Sequence, residues 1–216
     1  MRCGMNTTAV ILAGGKSSRM GENKALLPMK EKTNIAKIAG ELEKVTKELL
    51  IVTNTPEDYR FLGYPMTTDR YPGFGPLAGI HAGLSSSETE VIIAVACDMP
   101  FIHEGIAQEM LDAADGYDAV VPEIEGRLQP LFAVYKKSCL PPLTSCLDNH
   151  VLKVRQFLAA ITVKIMKEQD FRLYKEQPHL FSTSFFNMNM PEEYNQAKQL
   201  EEELSLLNKN ERMKKE

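Results

Sequence analysis

Short, fully apolar runs recur along this chain, each followed by a stretch of helical periodicity. The first, Ala9 to Ala13, carries β-branched Val10 and Ile11 and predicts a buried strand. From Asn34 to Leu49 the apolar residues Ile35, Ile38, Leu42, Val45 and Leu49 keep the three-to-four spacing of an amphipathic helix, with Thr33 or Asn34 as its cap. Leu49 to Val52 reads as a second strand. Pro56 opens a short helix through Leu62, and a third strand around Pro65 to Thr68 ends at Asp69. Two prolines and two glycines force a loop from Tyr71 to Pro76. The helix expected from Leu77 to Ser85 offers Ala78, Gly79, Ala82 and Gly83, small enough for close approach to a sheet.

Val91 to Ala96 is the clearest core strand, and it stops abruptly at Cys97-Asp98-Met99-Pro100. A helix from Gly105 to Ala114 leads to a strand at Ala119 to Val121, a turn at Glu123 to Arg127 and a returning strand at Gln129 to Tyr135. That pair reads as an antiparallel excursion beside the parallel strands. Beyond Lys136 the pattern predicts helical segments at Leu143 to Asp148 and Val154 to Ala160, then a strand at Thr162 to Met166. A short strand follows within Phe181 to Met190, and Pro191-Glu192-Glu193 opens a last helix with acidic residues at its positive end. Strands alternating with helices predict a single-domain, three-layer α/β/α fold around a Rossmann-like, mostly parallel sheet. The expected domain spans residues 8–203, between an N-terminal extension (1–7) and a solvated helix end or disordered tail (204–216).

Composition narrows the function without choosing it. A chain of 216 residues is long enough for one substantial core. A net charge of −4 supplies no global basic field for nucleic acid. No apolar run approaches the ~18 residues that span a bilayer. Met1 to Thr8 lacks the apolar core of a signal peptide, and Met5 could serve as an alternative start. Cys3, Cys97, Cys139 and Cys146 are scattered and the histidines show no metal-ligand spacing, so reduced thiols in a cytoplasmic protein are expected.

The chemistry is concentrated after the first strand. Gly14 and Gly15 let backbone N–H groups approach a phosphate, and Lys16, Arg19 and Lys24 add the charge to hold a polyphosphate. A Walker loop would need glycine where Val10 stands, and the dinucleotide fingerprint lacks its three spaced glycines. A Gly-Gly turn with solvated cations is the structural alternative. Asp69 and Asp98 each follow a strand and should face the same crevice, where a carboxylate can hold Mg²⁺ together with phosphate oxygens and waters; at Asp98 the alternative is a turn residue before proline.

Leu12-Ala13-Gly14-Gly15-x-Ser17-x-Arg19-Met20-Gly21-x-x-Lys24 resembles the signature of the nucleotidyltransferases that act on molybdenum cofactor, and most closely their guanylyl branch. The resemblance continues through Gly75-Pro76-Leu77-Ala78-Gly79, Cys97-Asp98-Met99-Pro100 and Asn187-x-Asn189-x-Pro191-Glu192-Glu193, covering roughly Thr8 to Leu200. It implies transfer of GMP from GTP to molybdenum-molybdopterin, with release of pyrophosphate, Mg²⁺ as cofactor, and transient contact with proteins that donate and accept the cofactor. It also implies roles: backbone groups of Leu12, Ala13 and Gly14 at guanine, close approach at Gly15, Lys16 and Arg19 on the β- and γ-phosphates, and Lys24 near the α-phosphate. Asp69 resembles the nucleoside-binding aspartate, Asp98 the metal ligand, and Asn187 and Asn189 the pair at the pterin end. Asn189 can instead cap the last helix. Lys153 and Arg155 lie where a cation for pterin phosphates would serve, or are solvated. Asn54 is ambiguous in register. A cytidylyltransferase for the same cofactor or for a sugar or polyol phosphate keeps the fold and changes the substrate; a nucleotide-binding regulatory module would need neither Lys24 nor Asp98.

Overall fold

The computed structural model describes residues 6–14 and 23–213, with side chains through residue 206. Ten strands and eight α-helices occur among them: β1 (Thr7–Leu12), β2 (Pro28–Met29), β3 (Lys32–Thr33), α1 (Asn34–Leu42), β4 (Glu48–Val52), β5 (Met66–Thr67), α2 (Pro76–Ser86), β6 (Val91–Ala96), α3 (Glu104–Asp112), β7 (Ala119–Ile124), β8 (Arg127–Leu128), β9 (Phe132–Lys136), α4 (Leu140–Asp148), α5 (Val154–Leu158), β10 (Val163–Lys167), α6 (Arg172–Glu176), α7 (Pro178–Thr183) and α8 (Pro191–Met213). No helix among the described residues is long and apolar enough to cross a membrane.

The main sheet runs β10-β7-β9-β6-β1-β4-β5, with β8 added beside β7. β1 lies between β4 and β6, parallel to both, with Ile11 opposite Ile51 and Val95. Both central strands are buried along their whole length, as expected where helices cover both faces of a parallel sheet. Alternate side chains feed two cores. Ala9, Ile11, Ile93 and Val95 pack with α1, α3 and with Phe171, Leu173, Phe181 and Phe185 from α6, α7 and their flanks; Val10, Leu12, Ile92 and Ala94 pack with α2, α4 and α5. The fold is therefore the expected three-layer α/β/α arrangement. A smaller cluster of Met29, Phe101, Met188 and Ala197 seats α8 against the β2–β3 hairpin.

The small residues of α2 do what their size suggests. A Cβ on Gly79 would lie 3.2 Å from Leu12 Cδ2, and one on Gly83 only 2.6 Å from Val10 Cγ1. Gly75, at φ 73°, turns the chain into that helix ahead of Pro76. At the far side of the sheet Asp118 ties three strands. Its carboxylate accepts from Ser138 Oγ (2.6 Å) and Thr162 N–H (2.8 Å), and its carbonyl accepts from Lys136 N–H (2.8 Å).

Three expectations need correction. The helix from Asn34 ends at Leu42, and Leu49 belongs to β4; Val45 still packs on the core from a turn, so the periodicity outlasts the helix. No strand forms within residues 181–190. Phe181 and Phe185 meet edge to face with centroids 5.2 Å apart, and their four-residue spacing is that of α7 and the turn after it. The returning strand starts at Phe132, after a turn in which Phe132 N–H bonds to Gln129 O; it runs antiparallel between β6 and β7, and so lies beside the parallel strands as expected.

Candidate active site

The strand order reverses at β1: the chain moves outward through β4 and β5, then returns to place β6 on the other side. A crevice at the carboxyl ends of β1 and β6 follows from that reversal. Two backbone bonds extend the sheet into its floor. Ala13 N–H reaches Val52 O at 2.9 Å, and Cys97 N–H reaches Leu12 O at 3.2 Å. Leu12 and Ala13 are buried, while Gly14 is exposed with nothing within 4 Å of the place a Cβ would take. Gly15, Lys16 and Arg19 lie outside the described residues.

Asn23 Oδ1 accepts from Ala25 N–H (3.1 Å) and opens the 3₁₀ turn Lys24–Leu26. Asn23 is itself held by a buried tyrosine. Its Nδ2 donates to Tyr59 Oη at 2.8 Å, and that hydroxyl lies 3.5 Å from Ala13 O. Burial raises the Tyr59 hydroxyl to about 12, so it keeps its proton. Both ends of the glycine-rich stretch thus converge on one side chain.

Lys24 projects toward the last segment of the domain and donates from Nζ to Asn189 Oδ1 at 3.0 Å. The same segment is tied to the β6 turn, because Met188 N–H donates to Asp98 O at 2.8 Å. Asn187 turns its Nδ2 back onto Phe185 O (3.0 Å). Capping of α8 falls to Glu193, whose Oε2 accepts from the N–H groups of Asn189 and Met190, leaving the Asn189 side chain to Lys24.

Asp98 is the most electrostatically distinctive residue here. Its Oδ1 is buried with no hydrogen-bond partner among the described residues. Burial holds the carboxyl above its ordinary range; the Lys24 charge pulls it down, and Glu193 pushes it up. An acceptor oxygen with no donor fits a cation ligand. No group of three or more His, Cys, Asp or Glu side chains among the described residues could hold a metal. A divalent ion held by Asp98 would therefore complete its shell with substrate oxygens and water, as Mg²⁺ does.

On the other flank, Asn54 is exposed just past β4, and its Oδ1 accepts from Asp69 N–H at 3.2 Å. Asp69 in turn accepts from Tyr71 N–H at 2.7 Å. Asn54 thus orders the turn that carries Asp69. Tyr71 stands edge-on to His81 (5.3 Å) and donates to Asp148 (3.0 Å), which fixes the proline-glycine loop against α4. Lys153 and Arg155 are exposed at and near the start of α5; among the described residues no hydrogen bond or ion pair joins them to Lys24, Asp98 or the asparagines. Tyr59 organises the site without having stood out in the sequence, while Asn34 was legible there only as a possible helix cap and Glu193 only as an acidic residue at the start of the last helix.

Similarity to known proteins agrees with this geometry. Residues 9–165 match the family model described as the MobA-like NTP transferase domain. A protein of Pelotomaculum thermopropionicum named as a probable molybdenum cofactor guanylyltransferase is 38% identical over 198 residues, spanning 92% of this chain and 95% of that one. The crystal structure of molybdopterin-guanine dinucleotide biosynthesis protein A from Archaeoglobus fulgidus superposes with a TM-score of 0.76 at 24% identity, covering 89% of this chain and 97% of that one. A Mycobacterium tuberculosis protein solved in complex with manganese shares the fold at a TM-score of 0.60 and 14% identity, over 76% of this chain and 88% of its own.

Proposed function

We infer the activity of a chain that belongs to the MobA-like NTP transferase family: it transfers GMP from GTP to molybdenum-molybdopterin and releases pyrophosphate. A terminal phosphate oxygen of the pterin attacks the α-phosphorus of GTP, a new P–O bond forms, and the bond to the β-phosphate bridging oxygen breaks. The attacking phosphate is already anionic near neutral pH, so the step needs no general base. The protein's work is to bring two anions together and to meet the charge that builds at the α-phosphorus and the departing pyrophosphate.

The observation that carries this reading is the bond from Lys24 to Asn189, formed beside a segment whose Met188 is anchored on the Asp98 carbonyl. It joins the nucleotide half of the site to the half assigned to the acceptor. In this reading, backbone groups of Leu12, Ala13 and Gly14 meet guanine and Asp69 meets the nucleoside. Gly15, Lys16 and Arg19 serve the β- and γ-phosphates, and Lys24 the α-phosphate. Asn187 and Asn189 serve the pterin, with Lys153 and Arg155 as cations for its phosphates. Mg²⁺ held by Asp98 and the phosphate oxygens would neutralise charge on the triphosphate. Asp98 would give up no hydrogen bond at its buried oxygen to take that ion, because that oxygen has no donor among the described residues. Action in the cytoplasm, with transient contact with cofactor donors and acceptors, fits the free Cys97, Cys139 and Cys146.

The test is to incubate the protein with Mg²⁺, each nucleoside triphosphate in turn and a molybdopterin-bearing donor protein, then identify the nucleotide released from the oxidised pterin. GMP is the expected product. CMP would move the protein to the cytidylyl branch, and no product with any nucleotide would leave a binding module.

A further inference from the structure

Asn34 is completely buried, yet it is polar and sits between the two most important turns of the crevice. It opens α1, and its backbone N–H donates to Leu27 O at 2.9 Å. A capping side chain would accept from N–H groups further along the helix. This one does the opposite: Nδ2 donates to Cys97 O at 2.6 Å and lies 3.5 Å from Lys24 O. Two carbonyls facing one end of the carboxamide identify that end as the amino group, since the reverse orientation would set oxygen against oxygen. Its Oδ1 has no partner among the described residues. Packing does not account for such a residue, because an apolar side chain would bring no unpaired amide oxygen of its own into the core; what it could not supply is the donor to the two carbonyls.

The two carbonyls belong to Lys24 itself and to the residue before Asp98. We propose that Asn34 is a positioning residue, whose carboxamide fixes the spacing between the Lys24 turn and the Asp98 turn. It thereby sets the distance from the cation at the α-phosphate to the carboxylate that receives the metal. The proposal rests on the roles given above to Lys24 and Asp98. Transition-state charge is met by both groups together, so their separation matters more for the chemical step than for holding GTP, which also has the glycine-rich stretch.

The test compares wild type, Asn34→Leu, Lys24→Met and the double variant. GTP affinity is measured by equilibrium titration and GMP transfer by single turnover, with rates normalised to GTP-binding sites so that unfolded protein does not count. Asn34→Leu should lower the transfer rate about 10- to 100-fold, as a small misplacement of reacting groups does, while GTP affinity changes less than about threefold. It should also raise the Mg²⁺ concentration needed for half-maximal rate. In the Lys24→Met background the same change should cost less than about threefold, because the spacing no longer serves a cation. Should Asn34→Leu not fold, Asn34→Ser is measured in its place against the same criteria. A normalised rate within about twofold of wild type, or losses that multiply in the double variant, would overturn the proposal. Wild-type protein that transfers no GMP would instead overturn the functional reading.

Discussion

Lys24 Nζ and Asn189 Oδ1 are 3.0 Å apart although 165 positions separate them in the chain. The bond orients the ammonium across the crevice before any ligand arrives. Lys24→Met, which keeps the stem and removes the charge, should lower the transfer rate by about 100-fold, as loss of a preorganised donor to transition-state charge does. GTP affinity should change far less. Asn189→Ala should move the rate in the same direction by a smaller factor, because the charge remains and only its orientation is lost. Single-turnover rates beside equilibrium binding decide it; a loss confined to GTP affinity would make Lys24 a ground-state contact.

Asp98→Asn should abolish turnover and yet stabilise the protein in the absence of divalent ions. Burial raises the folded-state pKa of Asp98 above its ordinary value, so the folded protein holds that proton more tightly than the unfolded chain does. The contribution to stability is complete below the unfolded pKa and is lost as pH rises through the folded pKa, above which the buried carboxylate is disfavoured. The amide carries no such charge. Thermal unfolding at pH 7, with and without Mg²⁺, should show the variant melting higher than metal-free wild type and failing to gain from the ion.

The opposite sign holds at Asp118, whose carboxyl is kept below its ordinary range first by the Ser138 hydroxyl and next by the Thr162 N–H. Its contribution to stability is present above the unfolded pKa of about 3.9 and fades as pH falls through the lower folded value. Asp118→Asn should therefore cost stability at pH 7 and progressively less below pH ~4. Urea unfolding at a series of pH values measures the narrowing gap; a constant difference would remove the carboxylate from the account.

Gly14→Ala should leave stability nearly unchanged, since nothing lies within 4 Å of the added Cβ. Its effect belongs to the ligand. Glycine lets the backbone come up to the edge of a purine, and a methyl group there crowds the larger base. Wild type should prefer GTP strongly over CTP, because a site built to hydrogen-bond one base leaves its own groups unpaired with another. The variant should lose part of that preference by using GTP less well. The kcat/KM values for both nucleotides in both proteins are the measurement, and equal use of CTP by wild type would end the guanylyl assignment.

Gly83→Ala makes a purely structural contrast. The new Cβ would stand 2.6 Å from Val10 Cγ1, on a β-branched side chain with little room to turn. Overpacking of this kind costs about 1–3 kcal/mol. The gain of about 1 kcal/mol from replacing a helical glycine offsets only part of it. Net destabilisation in urea, with GTP affinity per folded molecule unchanged, is the expected result.

How much of this was legible before the structure depends on the kind of interaction. β1 and β6 were plain because a strand covered on both faces must be apolar throughout, and α2 declared itself by the glycines that now meet Leu12 and Val10. Asp98 could be placed at the crevice from its position after β6 alone. Residues 170–186 were not legible: their aromatic residues suit a strand as well as a helix, and only the packing of Phe181 on Phe171 and Phe185 decides between them. Asn34 looked like an ordinary helix cap, because its two carbonyl partners stand 10 residues before it and 63 residues after it. Tyr59 was hidden for the same reason; its hydroxyl meets Asn23, 36 residues earlier.

That tyrosine has an entropic consequence. Ala13 and Asn23 are drawn to one hydroxyl, so the two positions that flank the glycine-rich segment are held together before nucleotide arrives. The loss of freedom in bringing the two ends together is borne when the protein folds, and binding does not incur it again. Closure cost also rises slowly with length, by only about 0.6 kcal/mol for each doubling. Residues added between Ala13 and Asn23 should therefore cost the fold little, because the two flanking positions stay tied to the same hydroxyl.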